Sequence, residues 1–287
     1  MDKPEGCTSH DVVSRVRRIT DVKRVGHLGT LDPVATGVLP LLIGRATRLS
    51  QFYTRSDKVY EAIVRFGFAT DTYDRTGAPT TAVSDPLIDR QELERHLECF
   101  RGEIEQTPPP VSAKKIDGVR AYKLARKQIA VELSPVRVRV YSLDLLDLRG
   151  REASLRAHCS GGTYMRSIAH DLGVALGTGA HLHSLRRIAS GEFTIEQAHS
   201  LAAIEELASA ERLMEILIPA AKALPAFPTV YVEPVVIGQI RHGQNFPVSP
   251  FRVQAGSRYV KAVSHEGELV AIGEARLPNL YHPIVVL

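Results

Sequence analysis

The run Gly26-His27-Leu28-Gly29-Thr30-Leu31-Asp32-Pro33 is the part of this 287-residue chain best suited to hold a reactive group. Glycines bracket His27 and Leu28, and Pro33 biases Asp32 toward extended backbone. A loop punctuated in this way can hold one carboxylate rigidly in a cleft, where it serves as a nucleophile or as a base. An Asp before Pro also suits an Asx turn or a cap, so the loop alone leaves both readings open. Cys7, Cys99 and Cys159 are scattered and form no CxxC, and the histidines show no convincing ligand spacing beyond His181-x-His183. That argues against a structural zinc or a disulfide framework and for a reducing compartment.

Charge points to a second kind of site. The net charge is only +4, but from Ser112 to Arg139 eight Lys and Arg face Asp117 and Glu132 alone. From Glu192 to Glu215 six Glu stand against Arg212. A polyanion is drawn to the first segment and repelled by the second, although each run also suits a solvated face.

The elements that must position these groups follow from periodicity. With 44% hydrophobic residues the chain can bury a sizeable core, and the longest apolar run, Val38 to Ile43, is far too short to span a membrane. No apolar stretch of a signal peptide opens the chain. Thr8 and Ser9 open a helix whose Val12, Val13, Val16 and Ile19 share a face. Val38 to Ile43 reads as a buried strand, Arg45 to Tyr53 as a short helix, and alternation from Tyr60 to Phe66 as a strand. Leu87 to Phe100 is helical in pattern. Val136 to Val140 and Ala153 to Cys159 read as strands, the first with one charged face. Helices are expected over Thr163 to Leu176, Gly179 to Arg187 and Ser200 to Leu217. Pro219, Pro225 and Pro228 mark a linker, and short β-patterned runs (259–263, 269–272, 284–287) close the chain.

A set of ordered motifs resembles that of the TruB family of pseudouridine synthases over about residues 1 to 220. Gly26 to Pro40 resembles its catalytic-aspartate motif, and Asp2-Lys3-Pro4-Glu5-Gly6 its opening motif. In the family a short apolar strand usually precedes that opening; here the sequence starts at Met1. Lys58-Val59-Tyr60, followed by Gly67, Thr70-Asp71-Thr72, Asp74 and Gly77, resembles its tyrosine motif. Thr107-Pro108-Pro109, Ser112-Ala113-Lys114-Lys115, Gly118, Tyr122 and Ala125-Arg126 resemble its RNA-gripping thumb. Cys159 to Arg166 and Gly179 to Arg187 complete the set.

The resemblance implies an α+β fold: a pseudouridine-synthase core with a mixed, largely antiparallel sheet flanked by helices, and a small C-terminal β-rich, PUA-like domain. The implied catalytic domain covers 1–222, with the thumb at about 107–135, and the RNA-binding domain covers 226–287. The implied activity is isomerisation of uridine 55 in the T arm of tRNA to pseudouridine. That reaction breaks C1′–N1 and makes C1′–C5 without net redox or hydrolysis, so it demands no cofactor and no metal. It further implies a cytoplasmic enzyme, monomeric and without an obligate protein partner, that binds tRNA and no membrane.

Roles carry over residue by residue. Asp32 matches the catalytic carboxylate, which either attacks C1′ or removes the C2′ proton. Arg166 matches its guanidinium partner, which is expected to lower the carboxylate pKa and fix its orientation. Tyr60 matches the tyrosine stacked on the target base, with a hydroxyl able to relay a proton. His27 matches the residue supporting the flipped-out loop, Leu185 packs against the uracil or serves the core, and Tyr164 joins the substrate site. Lys114, Lys115, Arg120 and Arg126 are the expected phosphate contacts, and Lys3 stays unassigned. Two other classes compete. A glycoside or nucleoside hydrolase using Asp32 normally needs a second carboxylate as acid, which no motif supplies. A non-catalytic RNA-binding protein would have no use for Asp32, Tyr60 and Arg166 together.

Overall fold

The computed structural model describes residues 1–112, 133–249 and 257–287, together with the backbone of 115–116 and 119–120. The side chains of Lys114, Lys115, Arg120 and Arg126 lie outside the described residues, as does most of the expected thumb. The chain divides into two compact units that do not follow chain order. The first comprises Met1–Ser9, Thr30–Leu39 and Arg55–Ala198, and the second His10–Gly29, Pro40–Thr54 and His199–Leu287.

The first unit is built on a mixed sheet, eight-stranded among the described residues. Its strands are β1 (Asp2–Lys3), β3 (Ala35–Val38), β5 (Lys58–Phe66), β6 (Gly102–Gln106), β9 (Val136–Arg149), β10 (Glu152–Cys159), β11 (Ala180–Ser190) and β12 (Phe193–Thr194). The order is β1-β3-β11-β5-β10-β9-β6, with β12 on β11. Only the β3–β11 pairing is parallel among these ladders. Strand β5 shows why the sheet closes on a core: Lys58, Tyr60, Ala62, Val64 and Phe66 are buried while the residues between them are half-exposed. Helix α2 (Arg90–Cys99) starts at Asp89, whose side chain accepts from the Glu92 N–H, and packs near β9. Helix α3 (Met165–Ala175) packs on β11 and β5 through Ile168, Ala169 and Leu172, all fully buried.

Strand β11 replaces the helix expected over Gly179 to Arg187. It breaks register against β5 between Leu182 and Ser184 and again between Arg187 and Ala189. Each bulge adds a residue, so buried Leu182 and Leu185 fall three apart and mimic a helical stripe. The strand expected over Val38 to Ile43 is in fact two. Pro40 has no N–H for a ladder, and β3 ends at Val38 while β4 (Leu41–Ile43) pairs with β2 (Val25–His27) in the second unit. Gly37 lies at φ 100°, and a Cβ there would fall 2.2 Å from the Arg187 carbonyl oxygen, so β3 and β11 can approach only with glycine.

The second unit carries α1 (Ser9–Thr20, from His10 onward), whose Val12, Val13 and Val16 are buried as the periodicity predicts. A 3₁₀ helix covers Gly44–Phe52. Helix α4 (Leu201–Ser209) begins at Ser200, whose hydroxyl accepts from the Ala203 N–H. It is shorter than the expected Ser200 to Leu217, because Glu211 takes a left-handed φ of 59° and a separate 3₁₀ turn follows at Leu213–Ile216. A five-stranded sheet ends the chain, in the order β13 (Thr229–Tyr231), β15 (Tyr259–Val263), β16 (Leu269–Leu277), β17 (Leu280–Val286), β14 (Phe246–Pro247). Its core of Val230, Ile240, Phe246, Val260, Val270 and Tyr281 is capped by α5 (Pro234–Arg241). No helix among the described residues is long and apolar enough to cross a membrane.

Candidate active site

Asp32 sits in a turn that the N-terminal segment holds on both flanks. The Ala35 N–H donates to the Asp32 carbonyl at 3.0 Å, closing a turn with Pro33 at its second position. Before Asp32, the Ser9 hydroxyl both donates to the Leu31 carbonyl and accepts from its N–H. After it, the Pro33 carbonyl accepts from the Gly6 N–H at 2.9 Å and from Lys3 Nζ at 3.3 Å. Lys3 also donates to the Ala35 carbonyl at 2.6 Å and is fully buried. A buried ammonium needs such carbonyls to replace water, which gives the unassigned Lys3 a place: it ties β1 to the Asp32 turn. Desolvation lowers its pKa, opposed by Asp32 among other charges.

Arg166, on the first turn of α3, is 5% exposed and points its Nε to Asp32 Oδ2 at 3.0 Å. Its Nη1 donates to the Thr72 carbonyl at 3.1 Å and its Nη2 to the Val111 carbonyl at 2.9 Å. Asp74 Oδ2 lies 3.7 Å from Nη1, and Asp74 Oδ1 accepts from Thr72 and Thr76. The guanidinium is thus satisfied on every nitrogen, as a buried arginine must be. Asp74 is a second carboxylate beside the pair: its Oδ1 accepts from the Thr72 hydroxyl and from the Thr76 N–H and hydroxyl, and its Oδ2 faces Arg166.

The start of α3 is itself fixed by β6. Buried Gln106 accepts from the Tyr164 N–H at 2.7 Å and donates to the Tyr164 carbonyl at 3.0 Å. The Ser167 hydroxyl donates to the Thr107 carbonyl at 2.6 Å. Tyr164 and Arg166 are therefore placed by the residues leading into the basic segment, a relation no local pattern announces.

Burial decides the electrostatics. It pushes the Asp32 carboxyl above its ordinary value; Arg166 opposes this, Asp74 adds to it and Lys3 opposes. The guanidinium alone led to the opposite expectation, a lowered pKa. Desolvation is the larger effect, and the neighbouring Asp74 carboxylate adds to it. Tyr60, buried on β5, and half-buried Tyr164 are both pushed upward, chiefly by burial, and both feel the Asp32 charge. Arg187 opposes the shift at Tyr60 and donates from Nε to the Val38 carbonyl at 2.7 Å. Leu185 is 8% exposed on β11, opposite Ala35 of β3 and Ala62 of β5.

The first unit therefore brings together Asp32, Tyr60, Tyr164, Arg166 and Leu185. Asp74, Lys3, Ser9 and Gln106 support them without having been singled out for the site. His27 ends β2 in the second unit, opposite Leu41, and lines a cleft of about 560 Å³ with Arg17, Lys23, Arg24, Thr47 and Ser50. Among the described residues no group of three or more His, Cys, Asp or Glu is placed to hold a metal ion.

Residues 17–165 match the family model described as TruB family pseudouridylate synthase (N terminal domain). Residues 166–225 match the tRNA pseudouridylate synthase B C-terminal domain. The tRNA pseudouridine synthase B of Solibacter usitatus (strain Ellin6076) is 63% identical over 287 residues, which is 100% of this chain and 98% of that protein. The tRNA pseudouridine synthase B of Aquifex aeolicus (strain VF5) is 41% identical over 278 residues, 96% of this chain and 94% of that protein. Among solved structures, a Cbf5-Nop10-Gar1 complex contains a similar chain, with a TM-score of 0.74 and 27% identity over 98% of this chain and 81% of that one. With motifs, fold and full-length relatives in agreement, the chain belongs to the TruB family of pseudouridylate synthases.

Proposed function

We propose that the protein isomerises uridine 55 in the T arm of tRNA to pseudouridine, with Asp32 as the catalytic carboxylate. The observation that carries this reading is the Asp32–Arg166 pair at 3.0 Å, on a turn pinned at both flanks and beside buried Tyr60. A preorganised carboxylate is the group the reaction needs at the sugar. It adds to C1′ as the C1′–N1 bond breaks, or it removes the C2′ proton; either route frees the uracil to rotate and rejoin through C5. The C5 proton is then lost and N1 gains one, so the product is an isomer and no cofactor enters the balance.

Tyr60, kept a neutral phenol by burial, offers a π-face to the base and a hydroxyl that passes a proton. Leu185 supplies an apolar contact for the uracil, and Tyr164 shapes the same site. The target base must leave its stack first, at a cost of a few kcal/mol, about the unstacking cost of base flipping in general. His27 is assigned to fill the vacated stack, and the basic cleft it lines suits phosphate groups. Lys114, Lys115, Arg120 and Arg126 grip the backbone, and residues 226–287 add affinity. The enzyme works as a monomer in the cytoplasm.

Incubation with an unmodified tRNA transcript, followed by mapping of pseudouridine and assay of free uracil, tests the reading. Pseudouridine at position 55 with no free uracil is expected. Free uracil without pseudouridine would make Asp32 part of a hydrolase, and tRNA binding without either product would leave a binding protein only.

A further inference from the structure

Tyr73 lies between the two residues that hold Arg166 from below. The Thr72 carbonyl accepts from Arg166 Nη1 at 3.1 Å, and Asp74 Oδ2 lies 3.7 Å from the same nitrogen. Tyr73 itself has a φ of 63°, in the left-handed region that a bulky side chain rarely occupies. Such a conformation persists only where its surroundings hold it. Two backbone hydrogen bonds contribute, from the Tyr73 N–H to the Thr70 carbonyl and from the Leu182 N–H to the Tyr73 carbonyl. The side chain supplies the rest: its ring lies flat on the imidazole of His170, with centroids 3.8 Å apart and 8° between the planes.

His170 follows Arg166 by four residues on α3, so the two occupy one helix face a turn apart. The His170 Nδ1 is buried and has no hydrogen-bond partner among the described residues. The imidazole is thus engaged through its face rather than through this nitrogen. Burial also lowers its pKa, which keeps the ring neutral at neutral pH.

We propose that the Tyr73–His170 stack is a positioning device that seats the Thr72–Asp74 turn on Arg166 and thereby aims the guanidinium at Asp32. The proposal rests on the reading that Asp32 and Arg166 carry the reaction. Without the stack, residue 73 can relax toward a right-handed φ, which rotates both flanking peptides. The Thr72 carbonyl and the Asp74 carboxylate then shift against Nη1. The Val111 carbonyl still holds Nη2 at 2.9 Å, so Arg166 is re-aimed rather than released. Tyr73 and His170 are positioning residues, and their loss should appear in the chemical step rather than in RNA affinity.

Single-turnover pseudouridine formation, tRNA affinity and thermal melting are to be compared for His170→Ala, His170→Phe, Tyr73→Gly and Arg166→Ala. His170→Ala should slow the chemical step about 10- to 100-fold, the scale set by small misplacements of catalytic groups, with tRNA affinity unchanged. His170→Phe, which keeps a flat ring, should recover most of the rate. Tyr73→Gly is the sharper variant, because relief of the left-handed strain offsets the lost stack in stability while glycine leaves residue 73 free to depart from its φ of 63°. It should keep the melting temperature yet lose rate as His170→Ala does. A folded Tyr73→Gly or His170→Ala protein at the wild-type rate would overturn the proposal, as would a His170→Phe protein as slow as His170→Ala. Arg166→Ala separates the two levels: if it is inactive while His170→Ala is fully active, only the stack is at fault. If Arg166→Ala is itself fully active, the reading of Arg166 fails.

Discussion

Ser9 closes on Leu31 from both ends of that residue's backbone: its hydroxyl donates to the Leu31 carbonyl at 3.1 Å and accepts from the Leu31 N–H at 2.9 Å. Both residues are buried, and Leu31 immediately precedes Asp32. The Asp32 turn is therefore set by a side chain from the first position of α1, and the turn cannot shift without leaving buried backbone groups unpaired.

Ser9→Ala should uncouple that clamp. Two buried backbone groups lose their partner, at a cost of about 1–3 kcal/mol for an unsatisfied buried polar group. Thermal melting should show a lowered midpoint, and steady-state kinetics should show kcat falling more than KM rises. A variant with wild-type kcat and a lowered melting temperature would make the clamp a matter of stability alone.

The pH dependence follows from the raised Asp32 pKa. The reaction needs the carboxylate, so activity falls as pH drops through that value. The acid limb of kcat/KM should lie above the ordinary aspartate value of 3.8. Asp74→Asn removes a negative neighbour and should move the limb down; Arg166→Gln removes the opposing cation and should move the residual activity's limb up. By linkage, the native state holds the Asp32 proton more tightly than the unfolded chain does. The ionised group thus costs stability above its folded pKa, and the cost is relieved as pH falls through it. An acid limb at or below 3.8 would contradict the assignment.

The basic segment gives a salt-dependence prediction. Each phosphate neutralised contributes a slope of about −0.7 to −0.9 in log affinity against log salt. Replacing Lys114, Lys115, Arg120 and Arg126 together with Gln should weaken tRNA binding and flatten that slope, measured by filter binding across a salt series. A weakened affinity with an unchanged slope would assign these residues to something other than phosphate contact.

Much of the candidate site is legible in the sequence, because its residues sit in motifs whose spacing does not depend on tertiary structure. Asp32, Tyr60 and Arg166 stand in such motifs. What holds them is not legible there, since Gln106, Ser9 and Asp74 act by hydrogen bonds or ion pairs to residues distant in sequence. The direction of the Asp32 shift is hidden for the same reason: one guanidinium is visible in a motif and predicts a lowered pKa, whereas desolvation is a property of the packed site and raises it. Periodicity located β5, β15 and α1 because their buried faces follow an unbroken repeat. It failed at β11, where two bulges disturb the period of two, and at Pro40, where an unbroken apolar run conceals the end of one strand and the start of another.

Asp32→Asn is the most direct test, because Asn keeps the shape of the side chain and removes only its charge. Arg166 stays held by the Thr72 and Val111 carbonyls and by Asp74, so the variant should fold. Thermal melting and tRNA binding establish that first, since phosphate contacts elsewhere carry most of the affinity. The decisive measurement is single-turnover pseudouridine formation at position 55 of an unmodified tRNA. Product at the assay floor from a folded, tRNA-binding protein is the expected result; pseudouridine at near the wild-type rate from that same protein would remove Asp32 from the mechanism.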